Sequence, residues 1–280
     1  MRFLYSTSFR SKWHSIPGVA IAKLRNPTLQ VNKPYQPMKK TFLNAQWRKL
    51  VMINYAVDPK VLEPYVPFNT ELDLWNGTCY VSLIGFMFVD TKVLKLKIPF
   101  HINFEEINLR FYVKYKDTEG YKRGVVFIKE IVPRPALTLV ANMLYKENYE
   151  TLPTRHNWIE RDDSLMVEYG WKKDEWNSIR VTADKQPVDI VPDSEEEFIT
   201  EHFWGYTKVN DTVTSEYEVA HPRWQIYPVK DYEIDVDFTK VYGSEFAFLK
   251  DVKPVSVYLA EGSDIVVKKG KKLKIETTEV

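Results

Sequence analysis

The sequence predicts a mainly β fold with a few α-helices, arranged as a closed or nearly closed antiparallel barrel. Three observations carry that expectation. Short apolar or alternating segments recur at regular intervals, the pattern of an all-β barrel. Helical patterns are few. The 280-residue chain is rich in aromatics (17 Tyr, 15 Phe, 8 Trp) and holds only 10 Gly against 16 Pro, and no glycine-rich phosphate loop is found.

Along the chain, 47–57 (WRKLVMINYAV) is β-branched and apolar and reads as a buried strand. Asp58-Pro59 then starts a short helix, with Asp at the N-cap and Pro at the first helical position. Val61, Leu62 and Tyr65 form its buried face, and Pro64 and Pro67 end it. A second apolar strand covers 78–89, and 93–98 alternates with Lys95 and Lys97 as an exposed strand does. Long strands follow over 104–116 and 124–132. Pro133 and Pro135 open a helix over 136–149, with Leu137, Val140, Ala141 and Leu144 as its apolar stripe. Further strands are predicted near 165–171, 176–183, 204–209, 212–220, 224–229, 254–260 and 264–268. Ser194 caps a short acidic-fronted helix that ends near His202.

The formal charge of +1 conceals an uneven distribution. Residues 1–37 carry six basic and no acidic side chains, 38–267 carry 28 basic and 36 acidic, and 268–280 carry five Lys and two Glu. The body is therefore mildly acidic, which argues against nucleic acid as a partner. Residues 1–37 read as a disordered leader, an over-extended start before Met38, or an organelle transit peptide. One domain is expected over 38–268 and a basic tail over 269–280. The single cysteine, Cys79, leaves no internal disulfide and fits a reducing compartment. No apolar run is long enough to span a membrane as a helix. A cytoplasmic protein with no membrane partner is the resulting expectation.

The most informative stretch is 104–113, FEEINLRFYV. In a strand, side chains alternate between faces. Ile107, Leu109, Phe111 and Val113 then form a wholly apolar face, which must be core. Glu106, Asn108, Arg110 and Tyr112 form the other, with a carboxylate, an amide, a guanidinium and a phenol in register. Glu106 and Arg110 lie about 13 Å apart along such a strand at Cα level, so both could point at a shared ligand. Two readings fit: a structural network neutralised by neighbouring strands, and a polar floor where a small acid or carbonyl compound meets Arg110 and Tyr112.

The run F-x-E-x-N-x-R-x-Y-V at Phe104, Glu106, Asn108, Arg110, Tyr112 and Val113, followed by Gly124, Val125 and Phe127, resembles the YqjF-like family of uncharacterised conserved proteins (domain of unknown function 2071). Trp47, Val57-Asp58-Pro59 with Leu62, Leu72-Asp73 with Gly77 and Tyr80-Val81-Ser82, the 201–207 block EHFWGYT, and Pro254 with Val257 follow the family's order over roughly 43–268. The resemblance implies an acetoacetate decarboxylase-like antiparallel barrel with a central cavity. In the decarboxylase itself, a buried lysine of depressed pKa forms a Schiff base with a β-keto acid. The family's lysine pair follows a proline, and here Pro153 is followed by Thr154, Arg155 and His156, with Lys146 elsewhere. The imine nucleophile is thus missing from that place, and Glu106 is the counterpart of the cavity glutamate.

Other chemistry is thin. His14, His101, His156, His202 and His221 show no metal-ligand spacing, so neither a metal nor a cofactor is expected. Cys79 reads as core, and the paired acids Asp162-Asp163 and Asp235/Asp237 as solvated. His202, Trp204 and Tyr206 alternate, and form either an aromatic core rung or a cavity wall. Three functions remain open. The first is a small-molecule-binding domain for an organic or keto acid, with Glu106 and Arg110 as its key pair, Asn108 and Tyr112 beside them, and His202 and Tyr206 on the wall. The second is an enzyme on a keto or hydroxy acid with Glu106 as acid/base. The third is a non-catalytic structural or interaction protein.

Overall fold

The computed structural model describes residues 40–135 and 147–274. The leader over 1–37 and the body of the helix predicted over 136–149, including Lys146, lie outside them.

The first strand, β1, runs Thr41–Ala56, six residues earlier than its apolar core suggests. Asp58 caps α1 (Pro59–Leu62) as expected, its Oδ1 accepting from Lys60 N at 3.0 Å. Strand β2 (Thr70–Leu72), β3 (Tyr80–Val93), β4 (Phe104–Asp117) and β5 (Gly120–Val132) follow. The exposed strand expected over 93–98 is instead a turn, bridged between Val93 and Leu96. Leu94 and Lys95 both take positive φ there, 49° and 72°. Such a turn normally announces itself with Asn-Gly; Leu-Lys gives no such signal. Beyond β6 (Tyr149–Thr151) come β7 (Thr154–Glu160), β8 (Leu165–Lys173), β9 (Glu175–Ala183) and β10 (Val188–Asp189). Tyr149, assigned by sequence to the end of a helix, therefore begins a strand.

Helix α2 (Glu195–Thr200) is capped by Ser194 Oγ, which accepts from Glu197 N at 3.2 Å, and stops before His202. The chain continues through β11 (Trp204–Asn210) and β12 (Val213–Ala220). Pro228 breaks the single strand expected over 224–229 into β13 (Gln225–Tyr227) and β14 (Val229–Asp235); proline has no N–H to continue a ladder. After α3 (Phe238–Tyr242), the two strands expected over 254–268 are one, β15 (Ser256–Lys268). Gly262 permits this. It sits at φ +80°, and a Cβ there would meet Trp47 O at 2.1 Å, so the bend needs a residue without a side chain. Lys271–Lys274, read as tail, form β16 on the edge of β12.

Strands β15, β1, β3, β4, β5, β11 and β12 hydrogen-bond in that order, and β12 pairs back to β15 at Val219↔Val267 and Ala220↔Val266. The sheet thus closes into a ring, with one parallel contact between β5 and β11. A separate antiparallel sheet, β14-β9-β8-β7, packs against it. Buried side chains lie on both faces of the ring. Val51, Ile53, Leu83, Leu109 and Phe111 meet Val167, Tyr169, Trp171, Ile179 and Val181 of the second sheet in one core. The approach is close: a Cβ on Gly85 would lie 3.0 Å from the Tyr169 ring. The opposite side chains, among them Met52, Ile84, Phe86, Phe104 and Tyr112, form a second core inside the ring.

Candidate functional site

Strand β4 belongs to both cores. Its apolar residues Ile107, Leu109, Phe111 and Val113 are fully buried toward the second sheet. Its polar residues turn into the ring, where a cavity of about 130 Å³ is lined by Glu106 and Arg110 of β4. Trp47, Phe88, Phe104, Trp204, Val219 and Trp224 supply much of the apolar wall.

A bulge in β5 brings a second acid to this cavity. Leu109 pairs with Lys129 but Arg110 with Phe127, so Ile128 is an extra residue. An inserted residue shifts the alternation of the strand. Val125 and Phe127 before it, and Glu130 and Val132 after it, all line the cavity. Glu147 and Tyr149 enter ahead of and at the start of β6, and Tyr217 from β12.

Three carboxyls thus share one buried site. Glu106 accepts from Asn108 Nδ2 at 3.1 Å and from the Tyr149 hydroxyl at 3.4 Å. Glu147 accepts from the Tyr217 hydroxyl at 2.6 Å. Burial pushes Glu106, Glu130 and Glu147 above the usual carboxylate range; mutual repulsion adds to this for Glu106 and Glu130, and the hydrogen bonds only partly oppose it. Burial likewise raises the Tyr149 and Tyr217 hydroxyls, with the nearby glutamates adding to it. The upward push favours the protonated form of these acids, most of all at Glu106 and Glu130.

Arg110 is the cation of the site. It is 7% exposed and stands 5.7 Å from the Tyr112 ring. Among the described residues it makes a long hydrogen bond, from Nη2 to Ile199 O at 3.5 Å near the end of α2. Its Nε is buried with no partner among the described residues.

His202 lines the cavity just after α2. Its Nε2 lies 3.1 Å from Asp73 Oδ2, the same oxygen that accepts from Arg123 Nε at 2.6 Å. The ring packs against Tyr112 at 4.7 Å and Phe198 at 5.0 Å. Burial, aided by the charges of Arg123 and Arg110, pushes His202 down to about 4 against the pull of Asp73. Asp73 is itself buried, which would raise it, yet its bonds from His202 and Arg123 hold it below the usual range. The pair is therefore a carboxylate and a neutral imidazole. Nε2–H donates to Asp73, and Nδ1 keeps a lone pair with no partner among the described residues.

Of the six residues singled out from sequence, the structure gathers Glu106, Arg110 and His202 on the cavity. Asn108 is buried beside Glu106 as its donor. Tyr112 stands behind, its hydroxyl 2.7 Å from Ser82 Oγ. Tyr206 is elsewhere: it packs in the core facing the second sheet, its hydroxyl 3.3 Å from Glu216. On β11 it is Gly205 that faces the cavity. Glu130, Glu147, Asp73 and Arg123 were missed. Glu130 did leave a signal, a lone acid in the apolar run GVVFIKEIV. Cys79 is core, its thiol pushed up to about 11 by burial. Among the described residues no group of three His, Cys, Asp or Glu is placed to hold a metal ion, and no helix is long and apolar enough to cross a membrane.

The sequence pattern of a family described as an uncharacterised conserved protein, DUF2071, matches residues 44–264. The uncharacterised protein YqjF of Bacillus subtilis is 36% identical over 75 residues, which are 26% of this chain and 31% of that protein. This chain therefore aligns with about a third of that relative. Among solved structures, acetoacetate decarboxylase from Legionella pneumophila superposes with a TM-score of 0.56 at 14% identity, over 87% of this chain and 93% of that one. The enduracididine biosynthesis enzyme MppR, complexed with pyruvate, gives 0.59 at 12% identity, over 84% and 91%. An acetoacetate decarboxylase-like enzyme from Sphingomonas wittichii gives 0.57 at 10%, over 84% and 94%. At such identities the likeness shows the fold alone, and that fold is the acetoacetate decarboxylase-like one expected from the order of the motifs.

Proposed function

The chain belongs to the DUF2071 family of uncharacterised conserved proteins, and from its cavity we propose that it binds a small organic acid of the keto-acid type. One observation carries the reading. Arg110 brings a buried guanidinium with an unpartnered Nε to the wall of a largely apolar cavity. A buried donor left unsatisfied costs about 1–3 kcal/mol, more on a charged group, and a ligand carboxylate is the group a guanidinium pairs with best. The neutral glutamates supply the complementary half: a carboxylic acid can donate a hydrogen bond to a ketone or hydroxyl oxygen. Bound pyruvate in the fold relative MppR supports the size and class of ligand. The reading contains no imine step, since no lysine is among the described residues lining the cavity.

A second reading, catalysis with Glu106 as general acid, is favoured by the upward push on that carboxyl. Equal turnover by wild type and Glu106→Gln in a metabolite screen would remove it.

Trp47, Trp204 and Trp224 line the cavity, so binding is read by intrinsic fluorescence on titration with pyruvate or acetoacetate. We expect a saturable change, weakened about tenfold or more in Arg110→Met, as for loss of a charge-assisted hydrogen bond. Arg110→Lys should recover only part, lacking the fork. A flat titration with both acids, or unchanged affinity in a folded Arg110→Met, would overturn the reading.

A further inference from the structure

Three side chains that line this cavity each carry a buried atom with no partner among the described residues: Arg110 Nε, Glu130 Oε2 and His202 Nδ1. The first is a cationic donor and the second belongs to an acid held neutral. The third is a bare imidazole nitrogen. We propose that His202 is a base in this cavity, positioned by Asp73 and Arg123, and that the site enolises a carbonyl acid without a covalent intermediate. This rests on the organic-acid reading above.

The geometry carries the assignment. Asp73 accepts a hydrogen bond from Nε2–H, so the lone pair sits on Nδ1. Arg123 shares the same carboxylate oxygen and holds it in place, while Tyr112 and Phe198 fix the plane of the ring. Asp73 and Arg123 also line a surface groove, while His202 lines the cavity. Charged groups act on the imidazole from several elements: Asp73, Arg123 of β5 and Arg110 of β4. Arg110 is one of the charges that hold His202 down. A ligand carboxylate paired with Arg110 cancels that charge, so the base strengthens when the acid binds.

The step balances as a proton transfer. With a 2-oxo acid on Arg110, the C–H bond next to the ketone breaks and its proton goes to His202 Nδ1. The electron pair becomes the C=C bond of the enol. The carbonyl π pair moves to oxygen, which takes the proton of the neutral Glu130 carboxyl. The products are an enol, an imidazolium paired with Asp73, and a glutamate carboxylate; reversal restores the ketone.

The test is hydrogen exchange at the methyl group of pyruvate in deuterium oxide, followed by proton NMR with the full chain. We expect exchange well above buffer, reduced about a hundredfold in His202→Gln while the pyruvate-induced fluorescence change persists. Asp73→Asn should slow exchange and shift its pH midpoint at unchanged pyruvate affinity, which a purely structural role would not do. Binding without exchange above buffer, or exchange as fast in His202→Gln as in wild type, would overturn the base and leave the binding reading standing. Absence of binding in wild type would overturn both.

Discussion

Glu106→Gln tests whether the cavity carboxyls are held as neutral acids. Glu106 is 3% exposed, and burial pushes it from 4.5 up to about 8. Between those values the folded protein holds a proton that the unfolded chain has lost. Stability therefore declines as pH rises, at about 1.4 kcal/mol per unit. Over the whole interval Glu106 alone contributes a decline on the order of 3–5 kcal/mol. His202 and His221, both pushed down to about 4 from 6.5, carry the opposite sign. For them the folded state binds fewer protons between those values, so their contribution is complete above 6.5 and is lost as pH falls toward 4. From pH 6.5 to 8 the cavity carboxyls act without these histidines. Glutamine is neutral at every pH and keeps an acceptor for Asn108 Nδ2. Urea unfolding across that window should show wild-type stability falling by about 2 kcal/mol more than that of the variant. The variant should be the more stable protein at pH 8.5. Parallel pH profiles for the two proteins would refute the argument, because they would mean that Glu106 is ionised throughout.

Three further outcomes follow from the packing. Gly205→Ala places a Cβ 2.2 Å from Tyr217 Cζ, so thermal unfolding should report a loss of about 1–3 kcal/mol from overpacking and the Tyr217–Glu147 bond should be disturbed. Ser194→Ala removes the cap of α2 and should cost about 1 kcal/mol by denaturant titration; because the carbonyl of Ile199 in α2 accepts from Arg110, pyruvate binding should weaken with it. His221 stacks on Trp224 at 4.3 Å and is pushed down to about 4, first by burial. Acid quenching of tryptophan emission with a midpoint near that value should be present in wild type and absent from His221→Gln.

What sequence showed of the fold depended on how distinct the two faces of each element were. Strand β4 was legible because one face is wholly apolar and the other chemically mixed. Helices α1 and α2 were legible from Asp58 and Ser194, whose side chains do cap them. Strand β7, TRHNWIE, was not, since as the edge of the second sheet it is largely exposed; it has no apolar face to betray it. Strand β14 alternates on an edge in the same way. The turn at Leu94-Lys95 was misread as a strand because alternation of Leu and Lys is also what an exposed strand shows.

The site was legible only where one strand carried it. Glu106 and Arg110 lie on β4, and their spacing alone put them on one face. Glu130 and Glu147 come from other segments, and on a linear reading each is one more acid in an acidic body. Two tertiary features make them part of the cavity. The first is closure of the ring between β12 and β15, which encloses the inner face of every strand in it. The second is the bulge at Ile128. Unbroken alternation from Phe127 would turn Lys129 toward the cavity and Glu130 toward the second sheet. The extra residue reverses that choice: Glu130 faces Arg110's cavity, while Lys129 donates to the Val241 carbonyl and pairs with Glu150 at 3.1 Å. One inserted residue thus decides that the inner wall of β5 carries an acid rather than a lysine.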